Sequence, residues 1–302
     1  MENLKKKILI TGGSGFIGSI IREKLKNLNF ETVSIGRSIN ENVRINLNDS
    51  KLKNILNDFQ PEIICHLASG SNITRAEEDK ERESKNTVTA MKFLLSSLKE
   101  VGLGKTKIIY LSSQAVYGNP DILPVSESCI VSPVTHYGHC KKLVEDLIIE
   151  SGFDYVIFRV SSVYGKGQDY TKSGAIAKFI NKMQTYAAPV VFNSNELFSD
   201  FIYVEDVASA VLKAINSDIK NKIFNLGSGS PTKLKKVLDI LYTYFPNSPQ
   251  PEIKINNLYN PDKQKGIYLS IEKLKRELNW SCKYNIEEGL HEMLKDAAFI
   301  TN

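Results

Sequence analysis

Tyr137 and Lys141 stand four residues apart in a stretch with helical spacing, so their side chains share one face. A cation beside a phenol lowers its pKa, which suits the tyrosine to general acid/base work near neutral pH. The same spacing recurs at Tyr259 and Lys263, but the intervening Asn260-Pro261-Asp262 disfavours a continuous helix and the shared face. The first pair has company. Ser112-Ser113 closes the apolar run KIIYL, and a hydroxyl at the carboxyl end of a strand can meet both a substrate and Tyr137.

A second constellation lies near the N-terminus. Gly12, Gly15 and Gly18 follow the run KILIT at GxxGxxG spacing and open a helical stretch. Such glycines permit a tight turn, close approach of backbone to a diphosphate and close helix–strand packing. The helix N-terminus then offers free N–H groups to negative charge. An acid normally closes the second strand of an NAD site, where it bonds the adenosine ribose. Here Ile35 is followed by Gly36-Arg37-Ser38. Arg37 could pair with a 2′-phosphate instead, so NADP(H) is the favoured cofactor and NAD(H) the alternative.

Elements that place these residues alternate in type. Lys7–Thr11, Glu31–Ile35, Val43–Leu47, Glu62–Leu67, Lys107–Leu111 and Tyr155–Val160 read as strands. Phe16–Asn27, Ser50–Asp58, Glu83–Val101 and Thr135–Glu150 read as helices between them. This succession predicts an α/β fold, a Rossmann-type doubly wound parallel sheet. Past Gly165 the alternation lapses, and helices at Ile176–Gln184, Val204–Ala214 and Pro231–Tyr244 stand among short strands. We expect a dinucleotide-binding domain at 1–165 plus about 199–222. Residues 166–198 and 223–302 then form a smaller α/β substrate lobe at the carboxyl edge of the sheet.

Composition excludes several classes. The 302 residues are 42 % hydrophobic and 24 % charged, ordinary for a globular chain. The net charge of +5 is scattered, with Lys5-Lys6-Lys7 as its one basic run, so no nucleic-acid partner is implied. Cys65, Cys129, Cys140 and Cys282 form no CxxC pair, and His66, His136, His139 and His291 no ligand spacing; no metal site is expected. No secretory pattern and no apolar run of about 18 residues occurs, so a cytoplasmic protein without a membrane partner is expected.

The segments Gly12–Gly18, Leu111-Ser112-Ser113-Gln114-Ala115-Val116-Tyr117-Gly118 and Tyr137-Gly138-His139-Cys140-Lys141 resemble the extended short-chain dehydrogenase/reductases, within them the sugar-nucleotide epimerase/dehydratase branch. Pro124-Val125-Ser126-Glu127, Asp200–Val207, Phe224–Gly229 and Leu278-Asn279-Trp280 agree, so the resemblance spans nearly the whole chain. It implies Ser113 as catalytic hydroxyl, Tyr137 as acid/base, and Lys141 as pKa partner and ribose anchor. It also implies cofactor contacts from Gly12, Gly15, Phe16, Ile17, Gly18, Arg37, Ser38, Leu67, Ala68, Ser69, Asn86, Tyr137, Lys141 and Val163. A nucleotide-linked sugar as substrate and a homodimer follow from the same resemblance.

Departures from the family pattern narrow the chemistry. Dehydratases carry Asp and Glu directly after the catalytic hydroxyl; Gln114 and Ala115 stand there, and neither moves a proton. Ser199 and Asn260 replace two arginines that commonly grip the diphosphate, with Lys172, Lys263 or Lys265 as substitutes, and Ser162 replaces a sugar-side asparagine. The leading expectation is a ketoreductase or dehydrogenase acting at a sugar-nucleotide carbinol, most often C4, and not a 4,6-dehydratase. The alternatives are a 4-epimerase that retains its cofactor and a non-catalytic cofactor sensor.

Overall fold

The apolar run from Ile8 to Ile10 cannot face water on either side, and it becomes the middle of β1 (Lys6–Thr11), buried from Ile8 onward. The computed structural model describes residues 5–70, 73–171, 174–194, 196–255 and 266–295. After β1 come α1 (Phe16–Lys26), β2 (Phe30–Gly36), β3 (Val43–Arg44), α2 (Lys51–Phe59), β4 (Ile63–His66), α3 (Ile73–Glu78) and α4 (Lys80–Ser84). A π turn at Lys85–Thr89 leads into α5 (Ala90–Glu100), then β5 (Lys107–Ser113), a 3₁₀ turn at Gln114–Tyr117, α6 (His136–Glu150) and β6 (Tyr155–Val160). The rest comprises β7 (Ser162–Tyr164), α7 (Ala175–Gln184), β8 (Val190–Phe192), β9 (Phe198–Ser199), β10 (Phe201–Tyr203) and α8 (Val204–Ile215). It ends with β11 (Lys222–Leu226), β12 (Thr232–Lys233), α9 (Leu234–Tyr244), β13 (Glu252–Lys254), β14 (Gly266–Ile267), α10 (Glu272–Leu278) and α11 (Ile286–Leu294).

Among the described residues the largest sheet has seven strands in the order β11-β6-β5-β4-β1-β2-β3. Every junction from β5 to β3 is parallel. The doubly wound sheet expected from the sequence is therefore present. Strand order reverses at β1, which has β2 on one side and β4 on the other; ligands of such sheets bind at the carboxyl ends beside that switch.

The chain divides into two compact units. The first comprises 1–118, 131–159 and 208–224. Its core joins Leu9, Ile35, Ile64, Ile108 and Ile157 on strands to Leu94, Leu98, Val144 and Ile148 on α5 and α6, all buried. Each such side chain contributes about 1.5–3 kcal/mol by leaving water. The second comprises 119–130, 160–207 and 225–302, with a core around Tyr164, Phe179, Ile180, Leu241 and Leu290.

Three elements differ most from their sequence reading. The expected strand Val43–Leu47 is shorter, with Val43 and Arg44 in register with β2 and a last bond from Ile45 N–H to the Gly36 carbonyl at 2.8 Å; Ile45 and Leu47 are buried. The single helix expected over Glu83–Val101 is α4, the π turn and α5 in succession. The helix expected from Pro231 starts at Leu234, because Thr232 and Lys233 pair with Ser199 and Phe198 in an antiparallel ladder.

Candidate active site

α6 begins where Thr135 takes extended backbone angles and its hydroxyl accepts the Gly138 N–H at 3.0 Å, a Thr N-cap. That cap sets the first turn, and the helix periodicity carries Tyr137 and Lys141 on one face. β5 runs two residues beyond its expected end, through Ser113, whose hydroxyl accepts the Ala115 N–H at 3.2 Å as it caps the 3₁₀ turn. The Ser113 hydroxyl is also hydrogen-bonded to Tyr137. Ser113, Tyr137 and Lys141 thus meet within the first unit.

Lys141 is buried, and its ammonium donates to the Ser69 hydroxyl at 2.6 Å and the Leu111 carbonyl at 2.9 Å. It lies 5.0 Å from the Tyr110 ring centre and 5.6 Å from that of Tyr137. Burial lowers its pKa to about 8, opposed by the charges of Glu83 and Glu145. The Tyr137 phenol departs from the sequence expectation. Burial raises its pKa well above the usual tyrosine value, the Ser113 hydrogen bond opposes that rise, and the Glu83 charge adds to it. Desolvation prevails, so the phenol holds its proton at neutral pH.

Two buried ionic groups that sequence reasoning missed hold this set in place. Glu145, one turn beyond Lys141, accepts from the Ser112 hydroxyl at 2.5 Å and from Arg159 Nη2 at 2.7 Å, with Arg159 Nε at 3.1 and 3.2 Å from its two oxygens. Arg159 Nη1 donates to the Tyr117 hydroxyl at 3.1 Å. This network ties α6 to the end of β5 and to the 3₁₀ turn, the three pieces that carry the reacting groups. Glu83 is the second. Its carboxylate accepts from the Thr87 hydroxyl at 2.8 Å and packs on Gly70, where an added Cβ would stand 2.0 Å from it. Thr87 in turn accepts the Gly70 N–H at 3.3 Å, so the π turn grips the segment beside Ser69. π turns inside helices often mark functional sites, and this one carries Asn86.

The glycine loop joins β1 to α1. Gly12 has φ +71°, and a Cβ on it would lie 2.9 Å from Ala68 backbone atoms. A Cβ on Gly18 would stand 2.2 Å from the Gly12 carbonyl oxygen. Leu67 N–H donates to the Thr11 carbonyl, and Ala68 N–H to the Thr11 hydroxyl, so Leu67 and Ala68 run beside Thr11 and Gly12, while Gly15, Phe16 and Ile17 form the start of α1. Arg37 and Ser38 follow β2, Arg37 with an exposed side chain. Glu41, five residues beyond Gly36, folds back so that its Oε1 accepts the Ser14 N–H at 2.7 Å. Val163 belongs to the second unit, where it pairs with Ile202.

The four histidines are all placed by packing contacts. His66 is buried against Thr11 (3.0 Å) with its pKa lowered to about 3, hence neutral. His136 contacts Ser84 and Cys140, His139 the Thr135 carbonyl, and His291 the Tyr244 hydroxyl. Among the described residues no three His, Cys, Asp or Glu side chains are grouped to hold a metal ion, and no helix is long and apolar enough to cross a membrane.

In the second unit the family-like segments meet one another. Asp200 accepts from the Ser228 N–H and hydroxyl, both at 2.7 Å, and from Leu269 N–H at 3.1 Å. Asp206 accepts from Lys283 and Tyr284 N–H groups. The Asn225 amide donates to the Val125 carbonyl at 2.8 Å and its backbone N–H to Glu127. Ser162 and Ser199, two of the departures from the family pattern, lie 3.1 Å apart through their hydroxyls. Asn260, Lys172, Tyr259, Lys263 and Lys265 lie outside the described residues.

Comparison with known proteins agrees with this geometry. The profile of the NAD dependent epimerase/dehydratase family matches residues 8–227. A protein of Methanocaldococcus jannaschii named "Putative UDP-glucose 4-epimerase" is 32 % identical, covering 95 % of this chain and 97 % of its own. The dTDP-4-dehydro-6-deoxyglucose reductase of Escherichia coli is 26 % identical over 98 % of both chains. Among solved structures, the UDP-glucose 4-epimerase of Thermotoga maritima with UDP-glucose superposes with a TM-score of 0.87 at 26 % identity, covering 96 % of this chain and 97 % of its own.

Proposed function

The chain belongs to the NAD dependent epimerase/dehydratase family, and from that premise we propose that it is a nucleotide-sugar 4-epimerase working with a retained NAD. The observation that carries the reading is one proton-exchanging phenol, Tyr137, hydrogen-bonded to Ser113 beside buried Lys141, with Gln114 and Ala115 on the following turn. Such a site exchanges a proton at one carbinol. Eliminating water needs a further base and acid, which neither Gln114 nor Ala115 supplies. Between epimerase and reductase, the likeness over nearly all of both chains to the M. jannaschii protein favours the epimerase, displacing the reductase expectation. The same likeness points to a UDP-hexose.

Ser113 binds the reacting hydroxyl and aligns it with Tyr137. Tyr137 takes the carbinol proton as its phenolate while the ketone forms, and as the phenol returns it to the same oxygen once the sugar has turned to present its other face. Lys141, at about 8 still mostly charged at pH 7, stabilises the transient phenolate together with the Ser113 hydroxyl. The nicotinamide, when bound, accepts and returns the hydride. The glycine loop fits a diphosphate, because Gly12 and Gly18 leave no room for a Cβ and α1 presents its N-terminus there. Leu67, Ala68, Ser69 and Asn86 complete the proposed cofactor contacts, and the second unit is assigned nucleotide recognition. A homodimer belongs to the same reading, with exposed Leu143 and Ile149 on α6 available to a second copy.

Incubation of the protein as purified with UDP-glucose and no added cofactor tests the reading. The expected result is an equilibrium mixture with UDP-galactose, of unchanged mass. Turnover only with added NAD or NADP and a product lighter by two hydrogens overturns it in favour of a dehydrogenase. A product lighter by one water overturns it in favour of a dehydratase.

A further inference from the structure

The buried charges around the reacting groups do not all meet in pairs. Lys141 is 3 % exposed, and its ammonium donates to two neutral acceptors, the Ser69 hydroxyl at 2.6 Å and the Leu111 carbonyl at 2.9 Å. A buried ammonium without a counter-charge tends to lose its proton. Two buried carboxylates act on it, Glu83 and Glu145. Glu145 is already neutralised, because Arg159 holds it through Nη2 at 2.7 Å and through Nε at 3.1 and 3.2 Å. Glu83 is 8 % exposed and bonded to a neutral hydroxyl, that of Thr87 at 2.8 Å. Among these four groups, one cation and one anion remain: Lys141 and Glu83.

The backbone brings those two together. Ser69, which accepts from the ammonium, is followed by Gly70, and the Glu83 carboxylate packs on Gly70 so closely that an added Cβ would stand 2.0 Å from Oε2 and 2.2 Å from Oε1. Gly70 N–H donates to the Thr87 hydroxyl at 3.3 Å, and that hydroxyl donates to Glu83 Oε1, so the π turn fixes the carboxylate behind the Ser69–Gly70 segment. Of the other groups facing the pair, Tyr110 on β5 and Tyr137 and Cys140 on α6 are held protonated by burial. His66 on β4, its pKa lowered to about 3, is uncharged. His136 on α6 contacts the Ser84 hydroxyl and donates its backbone N–H to Glu77 of α3, which lies 3.6 Å from Lys80 Nζ. Arg75, Arg82 and Lys85 are exposed.

We propose that Glu83 is the counter-charge of Lys141, a positioning residue that keeps the ammonium protonated beside Tyr137 while the phenol gives up and regains its proton. Without Glu83 the amine keeps its two neutral acceptors and loses the charge that favours its protonated form. The balance at Lys141 runs in that direction: burial lowers its pKa to about 8, and Glu83 leads the charges that oppose the fall. Repulsion of the Tyr137 phenolate by Glu83 is the smallest of the three influences on that phenol, after burial and the Ser113 hydrogen bond. The consequence for turnover rests on the proposed Tyr137 chemistry, whereas the charge pairing is read without substrate or cofactor.

The test is stability against pH, by urea unfolding of dinucleotide-free protein, for the unaltered chain, Glu83→Gln and Glu83→Asp, each against its Lys141→Met counterpart. Glu83→Gln keeps the shape and an acceptor for Thr87 but removes the charge. The folded chain then holds the lysine proton less firmly than the unfolded chain over a wider range. Stability that rises with pH above about 8 in the unaltered protein is expected to begin rising about one pH unit lower. Glu83→Asp restores the charge and is expected to return the rise toward its original position. In kcat/KM the alkaline limb, where a discharged lysine no longer stabilises the phenolate, is expected to move down with it, a shift that a merely structural acid does not produce. An unmoved stability curve in Glu83→Gln overturns the proposal, and so does an equal displacement in Glu83→Asp. If Glu83→Gln does not fold, its combination with Lys141→Met, which removes both charges, is expected to fold, and failure there overturns the proposal as well. A displaced stability curve with a failed epimerase assay supports the pairing and counts against the proposed activity alone.

Discussion

Glu145→Gln removes one charge and almost no volume from the centre of the first unit. Glu145 is fully buried, and its two oxygens take the Ser112 hydroxyl and three contacts from Arg159 at 2.7 to 3.2 Å. The amide of glutamine must turn its NH₂ toward either the serine or the guanidinium. Ser112 can rotate to accept; Arg159 has only donors. The guanidinium, itself buried, is then left with a neutral acceptor and the Tyr117 hydroxyl. Breaking one side of a buried ion pair costs about 3–5 kcal/mol, while replacing both sides with apolar groups is often near neutral. Glu145→Gln is therefore expected to lose about 3–4 kcal/mol, and Glu145→Leu combined with Arg159→Met much less than the two single changes together. Urea unfolding followed by far-ultraviolet circular dichroism measures this for the whole chain. The fluorescence of Trp280, the one tryptophan, separates unfolding of the second unit. Because Ser112 precedes Ser113 and Glu145 follows Lys141 by one turn, turnover should fall with stability. A loss under about 1 kcal/mol in Glu145→Gln, or additive losses in the double variant, refutes the claim that this pair holds α6 to β5.

Tyr137→Phe keeps the ring and removes the exchangeable proton; turnover is expected to fall by about 10² or more while dinucleotide titration shows near-normal affinity, and near-normal turnover would assign the proton to another group. Lys141 is expected to leave a signature in stability against pH. Its pKa lies at about 8 in the folded chain against an ordinary 10.5, so between those values the unfolded chain holds a proton that the folded chain has released. Stability should then rise with pH across that window, by roughly 3 kcal/mol at most, relative to Lys141→Met in dinucleotide-free protein. Parallel curves for the two proteins would contradict the buried, partly discharged lysine.

Tyr137 and Lys141 could be paired from the sequence because a helix fixes neighbours at four residues, and Thr135 caps that helix by a purely local bond. The glycine loop was legible for the same reason: strand, turn and helix follow one another within a dozen residues, and Gly15 and Gly18 serve contacts inside that span. Glu145, Glu83 and Glu41 carried no such signal. Each is an ordinary acid in a polar stretch until folding supplies its partner: Arg159 from another strand, Gly70 from another loop, and Ser14 across 27 residues. The π turn that interrupts the helix expected over Glu83–Val101 likewise follows from bonds made by Thr87 to Glu83 and Gly70, which helical periodicity does not encode. Burial divided the two kinds of knowledge at Tyr137 itself. Spacing placed a cation beside the phenol, but only the tertiary structure decided how much water was removed, and desolvation reversed the expected direction of its pKa. Local geometry is written in residue spacing; the dielectric around a charge, and the partner that satisfies it, come from whatever the rest of the chain packs there.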